Sequence, residues 1–225
     1  MKFNLVRALG VLALLLCFST ASPAHEDGDS AVFKHPVSVK SPSKAFLTVR
    51  DLLAGVSVVR SDFKQKKSLV ALKKPIVSSG NYIFSSQMGL YWNIGAPINT
   101  AYVLTDDYMV ERQKGFKSKV VTPKEQPAIF GITEVFEAIF VGDLDRLSKD
   151  FAIHFVGSSS DWTIGLIPQR GLLQKMFKKV ILKGGETVSE VKLFEGNGDS
   201  THLKFLNTTR RPSTLSSAEK ALFAR

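Results

Sequence analysis

Between residues 59 and 66 the chain alternates strictly. Val59, Ser61, Phe63 and Gln65 fall on one side, and Arg60, Asp62, Lys64 and Lys66 on the other. Successive side chains of an extended chain point to opposite faces, so this pattern predicts an antiparallel strand with one buried and one wet face. Comparable runs follow at 79–85, 90–94, 101–105 and 108–112, separated by Pro75, by Gly95-Ala96-Pro97 and by Asp106-Asp107. A second series lies at 151–156, 162–167, 178–182, 189–194 and 201–206. Gly184-Gly185 and the stretch Gly196-Asn197-Gly198-Asp199 supply hairpin turns there. Short strands at this regular spacing predict a meander in a barrel or a sandwich.

Two stretches carry helical spacing instead. Phe46, Val49, Leu52 and Leu53 form one short amphipathic helix, with Ser43 as its N-cap and Gly55 as its stop. Ile129, Ile132, Val135, Phe136, Ile139 and Phe140 form a wider apolar stripe that begins after Pro127 and is broken at Gly142-Asp143. The fold class is mainly β with helices (α+β): ten or eleven antiparallel strands, one N-terminal helix and a helical insertion. No linker divides residues 45–225, which read as a single domain. Residues 25–44, rich in His, Asp, Ser, Pro and Lys, read as a flexible segment before it.

Residues 1–24 have the plan of a secretory signal peptide. Lys2 and Arg7 precede the apolar run 11–18, which is too short to span a bilayer, and small residues follow. Cleavage is expected after Ala24, with Ala21 as second choice, which places the mature chain in a periplasm. Cys17 is the sole cysteine, and Leu16 before it is not the small residue that a lipid-attachment site needs. Removal of the leader leaves no thiol chemistry. The net charge of +10 becomes +8 once Lys2 and Arg7 are gone, which favours anionic partners; nucleic acid is not expected for an exported chain. His25, His35, His154 and His202 lack metal-ligand spacing, and Ser158-Ser159-Ser160-Asp161 lacks a nucleophile context. The expectation is therefore no catalytic residue, no metal and no cofactor.

A set of motifs lies in order along the strands: Phe63-Lys64-Gln65-Lys66; Ser79-Gly80 with Tyr82 and Phe84; Gly89-Leu90-Tyr91-Trp92 with Pro97; Leu104-Thr105-Asp106-Asp107; and Trp162-Thr163-Ile164-Gly165-Leu166-Ile167-Pro168. Gly198-Asp199-Ser200-Thr201 and Phe205-Leu206-Asn207 extend the set across residues 45–207. In that order it resembles the strands of the LolA-like periplasmic outer-membrane lipoprotein carriers. The resemblance implies an incomplete β-barrel under a helical lid, holding the acyl chains of a lipoprotein. It also implies passage of that cargo from an inner-membrane exporter to an outer-membrane acceptor, by a monomer. The stretch Phe84-Ser85-Ser86-Gln87-Met88 lacks the arginine that steadies the lid in well-studied carriers, which leaves room for a specialised relative carrying a glycolipid or aryl lipid.

The candidate cavity and lid residues are Phe63, Tyr82, Phe84, Tyr91, Trp92, Ile132, Phe136, Ile139, Phe140 and Trp162. A closed barrel would bury such aromatics as core, and an open one would use some to line a ligand site. A carrier, a carrier of another lipid and a lipid esterase are the three function classes in play, the esterase with no spacing in its favour.

Overall fold

The computed structural model describes residues 28–38, 40–126, 130, 138 and 143–224. Residues 1–24, where a signal peptide is expected, and Ile129, Ile132, Val135, Phe136, Ile139 and Phe140 of the central stripe lie outside the described residues.

Eleven strands form one antiparallel sheet. They are β1 (Val58–Ser68), β2 (Ile76–Ser85), β3 (Gly89–Ile94), β4 (Thr100–Leu104), β5 (Met109–Gln113), β6 (Lys119–Val121), β7 (Phe151–Gly157), β8 (Trp162–Pro168), β9 (Phe177–Gly184), β10 (Val188–Glu195) and β11 (Ser200–Thr209). Their order is β6-β5-β4-β3-β2-β1-β11-β10-β9-β8-β7, so the sheet does not close into a barrel. Two meanders, β1–β6 and β7–β11, are thus joined where the first strand pairs with the last. Phe63 lies opposite Phe205 and Lys67 opposite Thr201 across that seam. The register slips between Arg60 and Asp62. There the Ser61 hydroxyl donates to the Leu206 carbonyl at 2.9 Å, and Asn207, at φ 55°, donates its amide to Asp62 at 2.8 Å. This is a β-bulge whose loose backbone groups are satisfied locally.

Among the described residues the bounded α-helices are α1 (Lys44–Leu53), α2 (Leu144–Asp150), α3 (Gly171–Met176) and α4 (Ser217–Leu222). Ser43 caps α1 by accepting from the Phe46 amide at 3.2 Å, and Gly55 follows its end at φ 73°. Phe46, Val49 and Leu53 of α1 are buried against one face of the sheet, the inner face.

Both sheet edges are blunted. β6 is only three residues long. β7 is covered by the N-terminal segment, whose composition reads as flexible. Residues Gly28–Lys34 instead form a 3-10 helix with Val32 fully buried. The segment then bonds along β7, Val37 N donating to Ile153 O at 2.8 Å and Phe155 N to His35 O at 3.0 Å. An uncovered edge of this kind would invite pairing with another chain. The helix can sit on the outer face because Gly165 has no side chain; a Cβ there would stand 2.7 Å from the Phe33 ring. Lys179 adds a bond to Ser30 at 2.8 Å and lies over the Phe33 and Phe194 rings.

The C-terminus straps the other half of the outer face. Phe223, 2 % exposed, packs among Val58, Ile83, Val103 and Val110. Arg60 holds the strap, donating to both carboxylate oxygens of Glu219 and to the carbonyls of Pro212 and Thr214. Arg112 donates to the carbonyls of Leu222 and Ala224. Hydrogen bonds from Arg60, and then from Ser216, hold the Glu219 carboxyl at about 2, against an ordinary value of 4.5. A depressed carboxyl stabilises above its unfolded pKa, and that stability is lost as pH falls from about 4.5 toward 2. Glu219→Gln should therefore release the strap already at neutral pH, lowering its opening cost by ~1 kcal/mol. Faster tryptic cleavage after Lys220, with the sheet still intact, checks this.

Candidate functional site

The inner face is lined by the alternate residues of each strand. Phe63 of β1 stacks on Trp92 of β3 with ring centroids 4.1 Å apart, and Tyr82 of β2 stacks on the same indole at 5.5 Å. Phe205 of β11 meets Tyr82 edge-on at 5.3 Å. Phe84, Tyr102, Leu203, Ile164, Leu166, Val180 and Leu182 continue the apolar surface to either side. Such offset and edge-on contacts add to simple burial. Four strands from both meanders thus build one aromatic cluster, and it exists only because β1 and β11 pair.

Trp162 stands on the same face, toward the β9–β10 turn. Its Nε1 donates to Gly185 O at 2.8 Å, and its ring covers Gly184, where a Cβ would be 2.5 Å from the indole. The Trp92 Nε1 is different. It is buried and has no hydrogen-bond partner among the described residues, which is costly for an indole.

The face is covered. Phe46 of α1 meets Phe155 of β7 edge-on at 5.5 Å, and Phe130, Ala138 and Leu147 belong to the same buried cluster. Both Phe130 and Ala138 are helical, within the stretch where the sequence predicts a helix. A cavity of about 560 Å³ opens at the edge of this cover. Phe84, the β2–β3 turn, the β4–β5 turn, Ala138 and Arg146 border it. That volume falls in the range of small-ligand sites.

At the opposite end of the inner face the surface turns polar. Lys67 Nζ lies 2.9 Å from Glu195 Oε1, and both residues are buried. Thr201 donates to the same oxygen at 3.4 Å, while Glu195 Oε2 and the Ser78 hydroxyl have no partner among the described residues. Burial pushes the Glu195 carboxyl up, against the opposing pull of Lys67.

Of the ten residues singled out from sequence, Phe63, Tyr82, Phe84, Trp92 and Trp162 lie together on the inner face, each nearly fully buried. Tyr91 does not. As the strand neighbour of Trp92 it must point the other way, and it packs on the outer face beside Phe223, ring centroids 6.4 Å apart. Ile132, Phe136, Ile139 and Phe140 fall outside the described residues. Sequence reasoning passed over Phe205 and the Lys67–Glu195 pair. Both were within reach: the alternation 201, 203, 205 aims Phe205 inward, and the set 59, 61, 63, 65 continues onto Lys67. His154 and His202 sit on the outer face, His154 against Phe33 and His202 within 3.0 Å of Glu190.

The family described as "Outer membrane lipoprotein carrier protein LolA-like" matches this chain over residues 44–204. The chain belongs to that family. Its open eleven-stranded sheet is the LolA-like fold. No curated protein matches it. Among solved structures it is similar to a LolA superfamily protein from Nitrosomonas europaea, at 7 % identity over 80 % of this chain and 96 % of the other, with a TM-score of 0.44. It is also similar to a DUF1329 family protein from Desulfovibrio piger, at 13 % identity over 79 % of this chain and 97 % of the other, with a TM-score of 0.47.

The buried pair makes a testable claim about this LolA-like face. Lys67→Met leaves a buried carboxylate alone and should cost about 3–5 kcal/mol of stability, most of it recovered in the double variant Lys67→Met/Glu195→Leu. Urea unfolding of the three proteins checks this.

Proposed function

We propose that the chain is a carrier that takes acyl chains of a lipoprotein or related lipid onto its inner face, beneath the helical cover. The observation that carries the reading is the aromatic cluster of Phe63, Tyr82, Trp92 and Phe205, which the open sheet presents as one apolar surface with a buried, unpartnered Trp92 donor in its midst. Acyl chains match such a surface, and an ester or amide carbonyl would accept from Trp92. The family description supports a carrier rather than an enzyme.

The mechanism is passive. Methylenes leave water for the aromatic face, gaining about 0.8 kcal/mol each before ordering costs. Displacing the cover and unstacking the cluster oppose this gain, which keeps the cargo releasable. The signal peptide, the family description and the net positive charge fit a periplasmic shuttle that loads at an inner-membrane exporter and unloads at an outer-membrane acceptor. The residues Phe84-Ser85-Ser86-Gln87-Met88, which border the 560 Å³ cavity, lack the family's arginine. That departure favours a second reading, in which the cargo is a glycolipid or aryl lipid served by a dedicated exporter.

Titration with fluorescent acyl probes of increasing length tests the carrier. Affinity should rise roughly two- to fourfold per added methylene until the face is filled. Affinity that does not change with chain length would contradict burial of the acyl chain. Mass spectrometry of protein purified without detergent identifies the natural cargo and separates the two readings.

A further inference from the structure

Six large apolar side chains are exposed among the described residues: Val70, Leu72, Val77, Phe116, Leu172 and Leu206. Five of them gather at one end of the sheet. In an antiparallel meander alternate connections share an end, so the β1–β2 loop, the β3–β4 turn, the β5–β6 turn, the β8–β9 connection with α3, and the β10–β11 turn lie together. Val70 and Leu72 are in the first of these, with Val77 just beyond it at the start of β2. Phe116 is at the tip of the third, 62 % exposed, and Leu172 is on α3. The proximity of the β1–β2 and β10–β11 connections is direct, since the Val70 amide donates to Asp199 at 2.8 Å.

The connections at this end are also basic. They carry Lys73, Lys74, Lys114, Lys117, Arg170 and Lys175 against Asp199 as their sole acid. Asp199 is buried and bonded to Val70 and Asn197. Arg170 is matched by Asp150 at 2.9 Å, but the five lysines have no ion-pair partner among the described residues. The β2–β3, β4–β5, β7–β8 and β9–β10 turns at the other end contain no lysine or arginine and expose Asp106, Asp107, Asp161 and Glu186.

We propose that the lysine-bearing end docks on an anionic lipid bilayer. Leu72, Phe116 and Leu172 enter the interfacial layer, and the surrounding lysines meet headgroup phosphates. Leu72, Phe116 and Leu172 stand on three separate connections with lysines between them. A fluid surface accommodates such scattered tips, whereas a protein partner would call for a contiguous apolar patch.

Co-sedimentation of the mature chain with vesicles tests this independently of cargo, since lipid taken onto the inner face stays with protein in the supernatant. The protein should pellet with phosphatidylcholine vesicles containing phosphatidylglycerol and not with phosphatidylcholine alone, and added salt should weaken the binding. Lys73→Gln with Lys74→Gln should weaken it about thirty-fold, at roughly 1 kcal/mol per lysine. Leu72→Ser with Phe116→Ser should abolish the part that survives high salt, and Asp106→Asn with Asp107→Asn at the far end should not weaken it. All six positions are exposed, and circular dichroism confirms that each variant remains folded. No pelleting of the parent protein on anionic vesicles at low salt would overturn the proposal and leave this end to a protein partner. Pelleting unchanged by both the lysine and the apolar variants would overturn it as well.

Discussion

Everything in this protein hangs on the pairing of its first strand with its last. Every other strand contact is a hairpin between sequence neighbours, and a chain of such hairpins would give two separate ribbons. The β1–β11 seam turns them into one eleven-stranded sheet. It brings Phe63 and Phe205 side by side, so that the aromatic cluster draws on both meanders. A contact between residues some 140 positions apart carries a large loop-closure cost. The seam meets it with paired backbone, buried aromatics and the well-satisfied bulge at Ser61. The Lys67–Glu195 pair crosses the same region and ties β1 to β10.

A sheet of this size has two faces to cover and two edges to protect, and the chain spends its terminal segments on those tasks. The N-terminal 3-10 helix shields the β7 edge and the outer face near Gly165. The C-terminal strap fills the outer face with Phe223, held by Arg60 and Arg112. The inner face is left to α1, α2, Phe130 and Ala138 among the described residues. The two coverings differ in kind. On the outer face the strap is pinned by charge-assisted hydrogen bonds, a fixed arrangement. On the inner face Phe46, Val49, Leu53 and Leu147 contribute apolar contacts alone, the kind that the proposed acyl cargo would replace.

The strands were legible in the sequence because their alternation is local. The runs around Phe63, Tyr82, Trp92, Ile164, Val180 and Leu203 each announce a buried face, and Ser43 announces the start of α1. Shorter elements left too little signal: β6 has three residues, and α3 begins at Gly171 after Arg170, whose side chain makes no cap bond. The 3-10 helix at 28–34 was hidden because its order comes from β7, β8 and Lys179, not from its own polar composition. Tyr91 shows the limit of reading by residue type. It is as aromatic as Trp92, yet one step along a strand sends it to the other side of the sheet. The seam could not be read at all, because nothing in β1 or β11 taken alone names its partner.

The central claim, that the inner aromatic face receives acyl chains, can be tested through the protein's own fluorophores. Both tryptophans of the chain, Trp92 and Trp162, lie on that face. Titration with a fatty acid brominated along its chain should quench their emission saturably, and an excess of the unbrominated acid should restore it. Saturable binding of the brominated acid with no loss of tryptophan emission would place the acyl chain elsewhere and contradict the account.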